Sequence, residues 1–180
     1  MKRTLILTLA ALLVSVAAFA QPRAVGAYFS AISEGVYYQH SLGEKQFLEL
    51  RVGADIGLLN GTGLGIDAGI DYEFIFASYP KSNGTFNLWA GPGVHGGYGY
   101  TTLIHPVNDL NPFVSLALNF GFDFTFNKHL QLFAKLSPKV GVTWGMTHDS
   151  DREGITKRTQ VEFVRSIAGL IPELGVAYSF

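Results

Sequence analysis

Six stretches of this chain alternate with a period of two, and one of the two faces so produced carries no charge. From 48 to 58 the even positions are Leu48, Leu50, Val52, Ala54, Ile56 and Leu58, set between Glu49, Arg51, Gly53, Asp55 and Gly57. Successive side chains of a strand point to opposite faces, so this rhythm describes strands with one apolar and one polar wall. It recurs over 64–78, 86–100, 114–126, 130–146 and 168–180. All the charge falls on the odd face: Glu49, Arg51, Asp55, Asp67, Asp71, Glu73, Asp123, Lys135, Lys139 and Glu173, interspersed with glycine.

Alternation alone leaves the orientation open, because a soluble ligand-binding barrel alternates too, with its apolar face inward. Composition decides. A soluble exterior is roughly a quarter to a third charged and rich in Lys and Glu, whereas this polar face holds more Gly than charge. The apolar face is crowded with aromatics at both strand ends. Phe74, Phe76, Phe86, Phe124, Phe126, Tyr178 and Phe180 lie at one end, and Tyr98, Tyr100, Trp144 and Met146 at the other. Two aromatic girdles around an aliphatic band is the pattern of a wall in contact with lipid. Lipid offers no partner to a free backbone group, so strands placed there must close into a barrel.

The start of the chain points the same way. Lys2 and Arg3 precede an apolar run from Thr4 to Phe19, and Ala18-Phe19-Ala20 supplies the small-x-small site of signal-peptidase cleavage. The run is short of the roughly 20 residues of a spanning helix. Residues 1–20 are therefore expected to be a cleaved export signal and 21–180 one barrel domain. Loss of Lys2 and Arg3 takes the formal net charge from −1 to −3, which argues against nucleic acid as a partner. There is no cysteine for a disulfide framework or lipidation.

Before the six clear strands, 24–31 and 36–42 read as a weaker pair around Ser33-Glu34-Gly35, making eight. Short connections (43–46, the Asn83-Gly84 segment, Asn127-Lys128) alternate with 59–63, 103–112 and the polar stretch 148–160, which is expected to be a loop. In bacterial barrels the short turns are periplasmic and the long loops face outward. Pro92, Pro138 and Pro172 fall within these strands, where each removes a ladder donor and suggests a bulge or a shifted boundary. The expected fold is all-β, an eight-stranded antiparallel up-and-down transmembrane β-barrel.

On these residues the chain resembles the small eight-stranded outer-membrane barrels of Gram-negative bacteria, the class of the OmpA transmembrane domain and OmpX. The resemblance covers 24–180. It implies residence in the outer membrane as a monomer, with lipid and lipopolysaccharide around it. It also implies that Val176, Tyr178 and Phe180 form the terminal signal read by the barrel-assembly machinery. Unlike full-length OmpA, the chain is expected to carry no soluble domain after the barrel.

An eight-stranded barrel is just wide enough for its own side chains to fill, and buried charges must be paired. Glu73 with Arg51, and Lys139 with Glu173, are expected as cross-strand pairs, with Lys135 within reach of Asp123. The inward glycines Gly91, Gly93, Gly97 and Gly99 fit either a plugged core around Trp89, Phe113 and Phe133, or a narrow water path lined by His95, Asn119 and the acids.

Other motifs carry less. Gly91-Pro92-Gly93-Val94-His95-Gly96 has dinucleotide-loop spacing, but strand alternation runs straight through it where a helix would have to begin. His148-Asp149-Ser150 shares with the outer-membrane lipid A deacylases only a His and a Ser two apart, so no catalytic residue is assigned. The histidines lack paired ligand spacing, and no metal or cofactor is expected. His148, Asp149, Asp151, Arg152, Lys157 and Arg158 are the candidates for contact with something outside the cell. The expected role is non-enzymatic, in envelope structure or surface interaction, with a narrow passive channel as the first alternative and lipid A modification as the second.

Overall fold

A computed structural model of the chain describes residues 22–30, 33–55, 65–99, 111–149, 154–162 and 170–180. They form ten strand segments: β1 (Pro22–Phe29), β2 (Glu34–Gly43), β3 (Gln46–Asp55), β4 (Gly65–Lys81), β5 (Gly84–Gly99), β6 (Asn111–Phe126), β7 (Leu130–Leu136), β8 (Lys139–Asp149), β9 (Gly154–Glu162) and β10 (Glu173–Ser179). Every pairing is antiparallel, each of β1 to β6 bonds to the next, and β6 continues to β7. Closure comes from β10, which lies between β7 and β1, with Ala24 opposite Ser179 and Phe29 opposite Leu174. The result is a closed barrel of eight walls.

Ten segments make eight walls because two are interrupted. β7 and β8 both pair with β6 and are one wall broken at Ser137–Pro138. Pro138 has no N–H to give, yet its carbonyl still accepts from the Leu118 N–H at 3.0 Å. Phe120 faces Leu136 on one side of the break and Ala117 faces Lys139 on the other, so the register runs through unshifted. The proline deletes one donor and no more. Pro92 stays inside β5, opposite Leu118, and Pro172 precedes β10, so the last strand starts at Glu173 rather than Ala168.

The eighth wall is interrupted more severely. β9 pairs with β8, from Gly141 opposite Glu162 to Asp149 opposite Gly154, and β10 pairs with β7. This corrects the loop expected over 148–160: only 150–153 separates the two strands. The alternating Ile155, Lys157, Thr159 and Val161 support an extended conformation that the abundance of charge disguises. β6 reaches β8 only as far as Phe113 opposite Thr143, so among the described residues the rest of β8 pairs with β9 alone, as a two-stranded ribbon past the wall.

One barrel end carries tight turns at Glu44–Lys45, Ser82–Asn83 and Asn127–His129. Asn127 and Lys128 have positive φ values of 44° and 68°, the pattern of a type I′ turn that suits strand twist, and the His129 N–H closes it onto the Phe126 carbonyl at 2.9 Å. Glu34 and Gly35, expected in a turn, already belong to β2.

The apolar face is the outside. Leu116 is 61% exposed, Phe76 58%, Ile66 57% and Leu174 57%, and Val52, Ile70, Val94, Leu118, Phe120, Leu132 and Val176 are exposed with them. In β1 the exposed residues are odd-numbered, Val25 and Phe29, with Ala24 and Tyr28 buried. Inside, Tyr28, Tyr37, Phe47, Trp89, Phe113 and Phe133 are buried, with edge-on contacts between Phe47 and Trp89 and between Tyr37 and Phe133. Two glycines give these rings room: a Cβ on Gly121 would strike Trp89, and one on Gly175 would strike Phe133.

The closing seam is directly testable because the chain contains no cysteine. Ala27 and Val176 are register partners on the exposed face, and a disulfide spans the Cα separation of such partners. Oxidation of the Ala27→Cys/Val176→Cys variant should give an intramolecular crosslink with altered mobility on a non-reducing denaturing gel. An open seam would leave free thiols or intermolecular dimers.

Candidate functional site

The most chemically distinctive part of the structure is its interior, where strand alternation sends the odd positions of β3 to β7. In-register pairing there sets like charges side by side, because Glu49 of β3 lies opposite Asp71 of β4. Both side chains are buried. Two carboxylates so placed repel unless a cation lies between them. The cation comes from the far side of the barrel. Lys135 of β7 reaches across the lumen and places Nζ 2.7 Å from Glu49 Oε1 and 3.0 Å from Asp71 Oδ2.

Further bonds extend from this centre in both directions. Toward the turn end, Gln39 Nε2 donates to Glu49 Oε2 at 2.9 Å, and Arg23 donates to Gln39 Oε1 at 3.0 Å and to Asp123 Oδ2 at 2.7 Å. The Arg23 guanidinium lies 4.0 Å over the Phe47 ring, and Asn87 Nδ2 donates to the second Asp123 oxygen at 2.8 Å. Toward the loop end, His95 Nε2 is 2.8 Å from Asp71 Oδ1, and its Nδ1 is 3.4 Å from Lys139 Nζ. Asp67 Oδ2 stands 3.9 Å from the same imidazole. Beside this chain, Asn119 Nδ2 donates to Glu73 Oε1 at 2.8 Å, and Asn119 Oδ1 accepts from Ser137 Oγ at 2.6 Å. Arg51 pairs with Glu173 at 2.8 Å and lies over the Tyr28 ring at 4.0 Å.

Two of the expected pairings are therefore rearranged. Arg51 binds Glu173 of β10 instead of Glu73 of the neighbouring strand, and Glu73 takes an amide donor. Asp123 is held by Arg23, while Lys135 serves Glu49 and Asp71. Side chains of an eight-stranded barrel reach the opposite wall as readily as the adjacent one, so matching heights on neighbouring strands is a poor guide to partners. Asp55 ends β3, in register with Gly65. The glycine contacts are also redistributed: a Cβ on Gly93 would strike Asp71 and one on Gly69 would strike His95, so these small residues accommodate polar groups as well as rings. Arg23, Gln39, Asn87, Gln131 and Ser137 were not singled out from sequence. Arg23 and Gln39 lie on the two weakly alternating strands, where the face of each residue is hard to assign.

Ser115 is the register partner of His95, with Asp71 on the other side, a composition suggestive of a nucleophilic triad. The geometry is not that of one. Both imidazole nitrogens are occupied, by a carboxylate and an ammonium, so the ring has no site left to take a proton from a hydroxyl. Among the described residues no group of three or more His, Asp or Glu is placed to hold a metal ion.

The surface candidates divide. His148 and Asp149 end β8, while Lys157 and Arg158 lie on β9 opposite Met146 and Gly145, so these four belong to the ribbon. Asp151, Arg152 and Ser150 lie outside the described residues. Val176, Tyr178 and Phe180 are exposed on the outer wall, with Tyr178 edge-on to Phe180 at 5.3 Å and the Phe180 N–H bonded to the Arg23 carbonyl at 3.1 Å.

Removing Lys135 leaves two buried carboxylates facing each other. Lys135→Met should lower stability by about 3–5 kcal/mol, read as a fall in the urea midpoint of the refolded protein. Adding Glu49→Gln and Asp71→Asn to that variant should recover most of the loss, because the repulsion leaves with the charges. A single variant as stable as the parent would show that Lys135 does not hold the two acids. Neither a scan against protein-family models nor searches of curated proteins and of solved structures found a match for this chain.

Proposed function

We propose that this chain is an integral outer-membrane protein, a non-enzymatic barrel with a filled interior that serves envelope structure or surface contact through its loop end. The orientation of the two faces carries this reading. Leu116, Phe76, Ile66 and Leu174 stand outward while Glu49, Arg51, Asp71, Glu73, Asp123 and Lys135 are buried. Water disfavours that arrangement and a lipid surround favours it, since apolar area left in water costs about 25 cal/mol per Å². Exposed aromatics at the turn end, among them Phe74, Phe76, Tyr79, Tyr178 and Phe180, fit an interfacial girdle.

The filled interior follows from the bonds across the lumen. Lys135 joins β7 to β3 and β4, Arg51 joins β3 to β10, and Arg23 joins β1 to β6. Each spans the space that a permeating ion would need. With the interior occupied, recognition is left to the loop end, and the β8–β9 ribbon supports that part of the reading because it extends past the β6 ladder.

Two measurements test it. Refolded in detergent, the protein should migrate differently on denaturing gels when unboiled and boiled, and should float with lipid vesicles. In a planar bilayer the folded protein should be electrically silent. Discrete, reproducible openings would overturn the filled interior in favour of a narrow channel, and failure to float would overturn the membrane assignment itself.

A further inference from the structure

Where β1, β10 and β7 lie side by side near the turn end, the outer wall has a shallow, open groove of about 320 Å³ lined by Val25, His129, Leu130, Val176, Ala177 and Tyr178. Val25, Tyr178 and Leu130 are successive register partners, so the groove runs across the seam that closes the barrel. Its side is stiffened in two ways. His129 stacks on Tyr178 with ring centroids 5.3 Å apart and planes 8° from parallel, and its Nδ1 faces the Ser179 carbonyl at 3.3 Å. The Ser179 N–H in turn donates to the His129 carbonyl at 2.6 Å, tying the turn to the last strand. With Nδ1 so engaged, Nε2 is the ring nitrogen left for an external group.

Side-chain charge at this end of the barrel is mainly positive. Lys128, next to His129 in the turn, is exposed, and among the described residues in or beside the other two tight turns the exposed Lys45 and Lys81 stand at the same end of the barrel with the acid Glu44. A cationic rim beside an apolar, aromatic-walled groove matches an amphiphile with an anionic head and a hydrocarbon tail. The end concerned is the one with short turns and the seam between first and last strands. On the membrane reading above, on which this inference rests, it meets the leaflet built of glycerophospholipids.

We propose that the groove is a binding site for one glycerophospholipid, with an acyl chain against Val25, Leu130 and Val176 and the headgroup phosphate against His129 and Lys128. The phosphate accepts from the Lys128 ammonium and, when the ring is protonated, from His129 Nε2, while the chain covers wall that the flanking rings hold open. The barrel then carries one retained lipid at its closing seam, distinct from the exchanging lipids around the rest of the wall.

The test is native mass spectrometry of the full chain, refolded in detergent, stripped of lipid and titrated with phosphatidylglycerol. The wild-type protein should retain one lipid. Lys128→Gln/His129→Gln should weaken retention about five-fold, the effect of losing the exposed ammonium contact and the imidazole beside it. Leu130→Trp, which fills the groove from the outer face, should abolish the one-lipid species. All variants should keep the heat-dependent gel shift and float with vesicles. A wild-type chain that does not float overturns the membrane reading and this site with it. A chain that floats but retains no lipid, or whose Leu130→Trp variant retains it equally, overturns the site alone, and equal retention by the double variant overturns the phosphate contact.

Discussion

One ammonium group holds the two sides of this barrel together. Antiparallel register places Glu49 beside Asp71 on adjacent strands, an arrangement that opposes folding by itself, and Lys135 resolves it from the opposite wall. Most of the interior depends on that solution. The second oxygen of Glu49 is free to take Gln39, which positions Arg23 on Asp123, and the second oxygen of Asp71 orients His95 toward Lys139. A neutral residue at 135 would leave these bonds attached to a pair of repelling carboxylates.

The structure inverts the usual division of labour between core and surface. In a water-soluble domain, burial of apolar groups supplies the drive and polar groups stay wet. On the proposed membrane reading the drive lies in the contact of the outer wall with lipid, and the interior must only avoid unpaired charge. Rings and ions share that task. Trp89, Phe47, Tyr37 and Phe133 fill volume, while Arg23 and Arg51 lie over Phe47 and Tyr28 as they reach their carboxylates. Glycines at 69, 93, 121 and 175 leave the space that these large groups occupy.

Much of this was legible in the alternation of the chain, and the parts that were not share a cause. Period two says which face a residue occupies, so the outward Leu116 and the inward Lys135 could both be read from parity. It says nothing about which wall a long side chain will reach, so it favours Glu73, the neighbour, over Glu173 as the partner of Arg51. β9 was hidden because its charges suggested a loop, while its β-branched residues at 155, 156, 159 and 161 signalled a strand more quietly. Arg23 and Gln39 are hard to place because the first two strands alternate weakly and β1 pairs with β2 in an odd register, Val25 opposite Tyr38, so its outward residues are odd-numbered, while the irregularity between Pro22 and Ala24 interrupts the alternation at Arg23. Pro138 suggested a bulge, but the ladder tolerates a missing donor without slipping because bonds on either side hold the same register.

The seam between β1 and β10 joins residues separated by most of the chain, Ala24 to Ser179 and Phe29 to Leu174. Contacts so distant in sequence form slowly, since the whole intervening loop must be ordered before they yield anything. Until they form, the network inside stands open on one side: Arg51 lacks Glu173, and Lys135 has water or lipid where β10 should be. Partial structures are thus unattractive in either medium, too apolar outside for water and too charged inside for hydrocarbon. Assembly is thereby made nearly all-or-none, with the last strand deciding the moment at which the barrel exists.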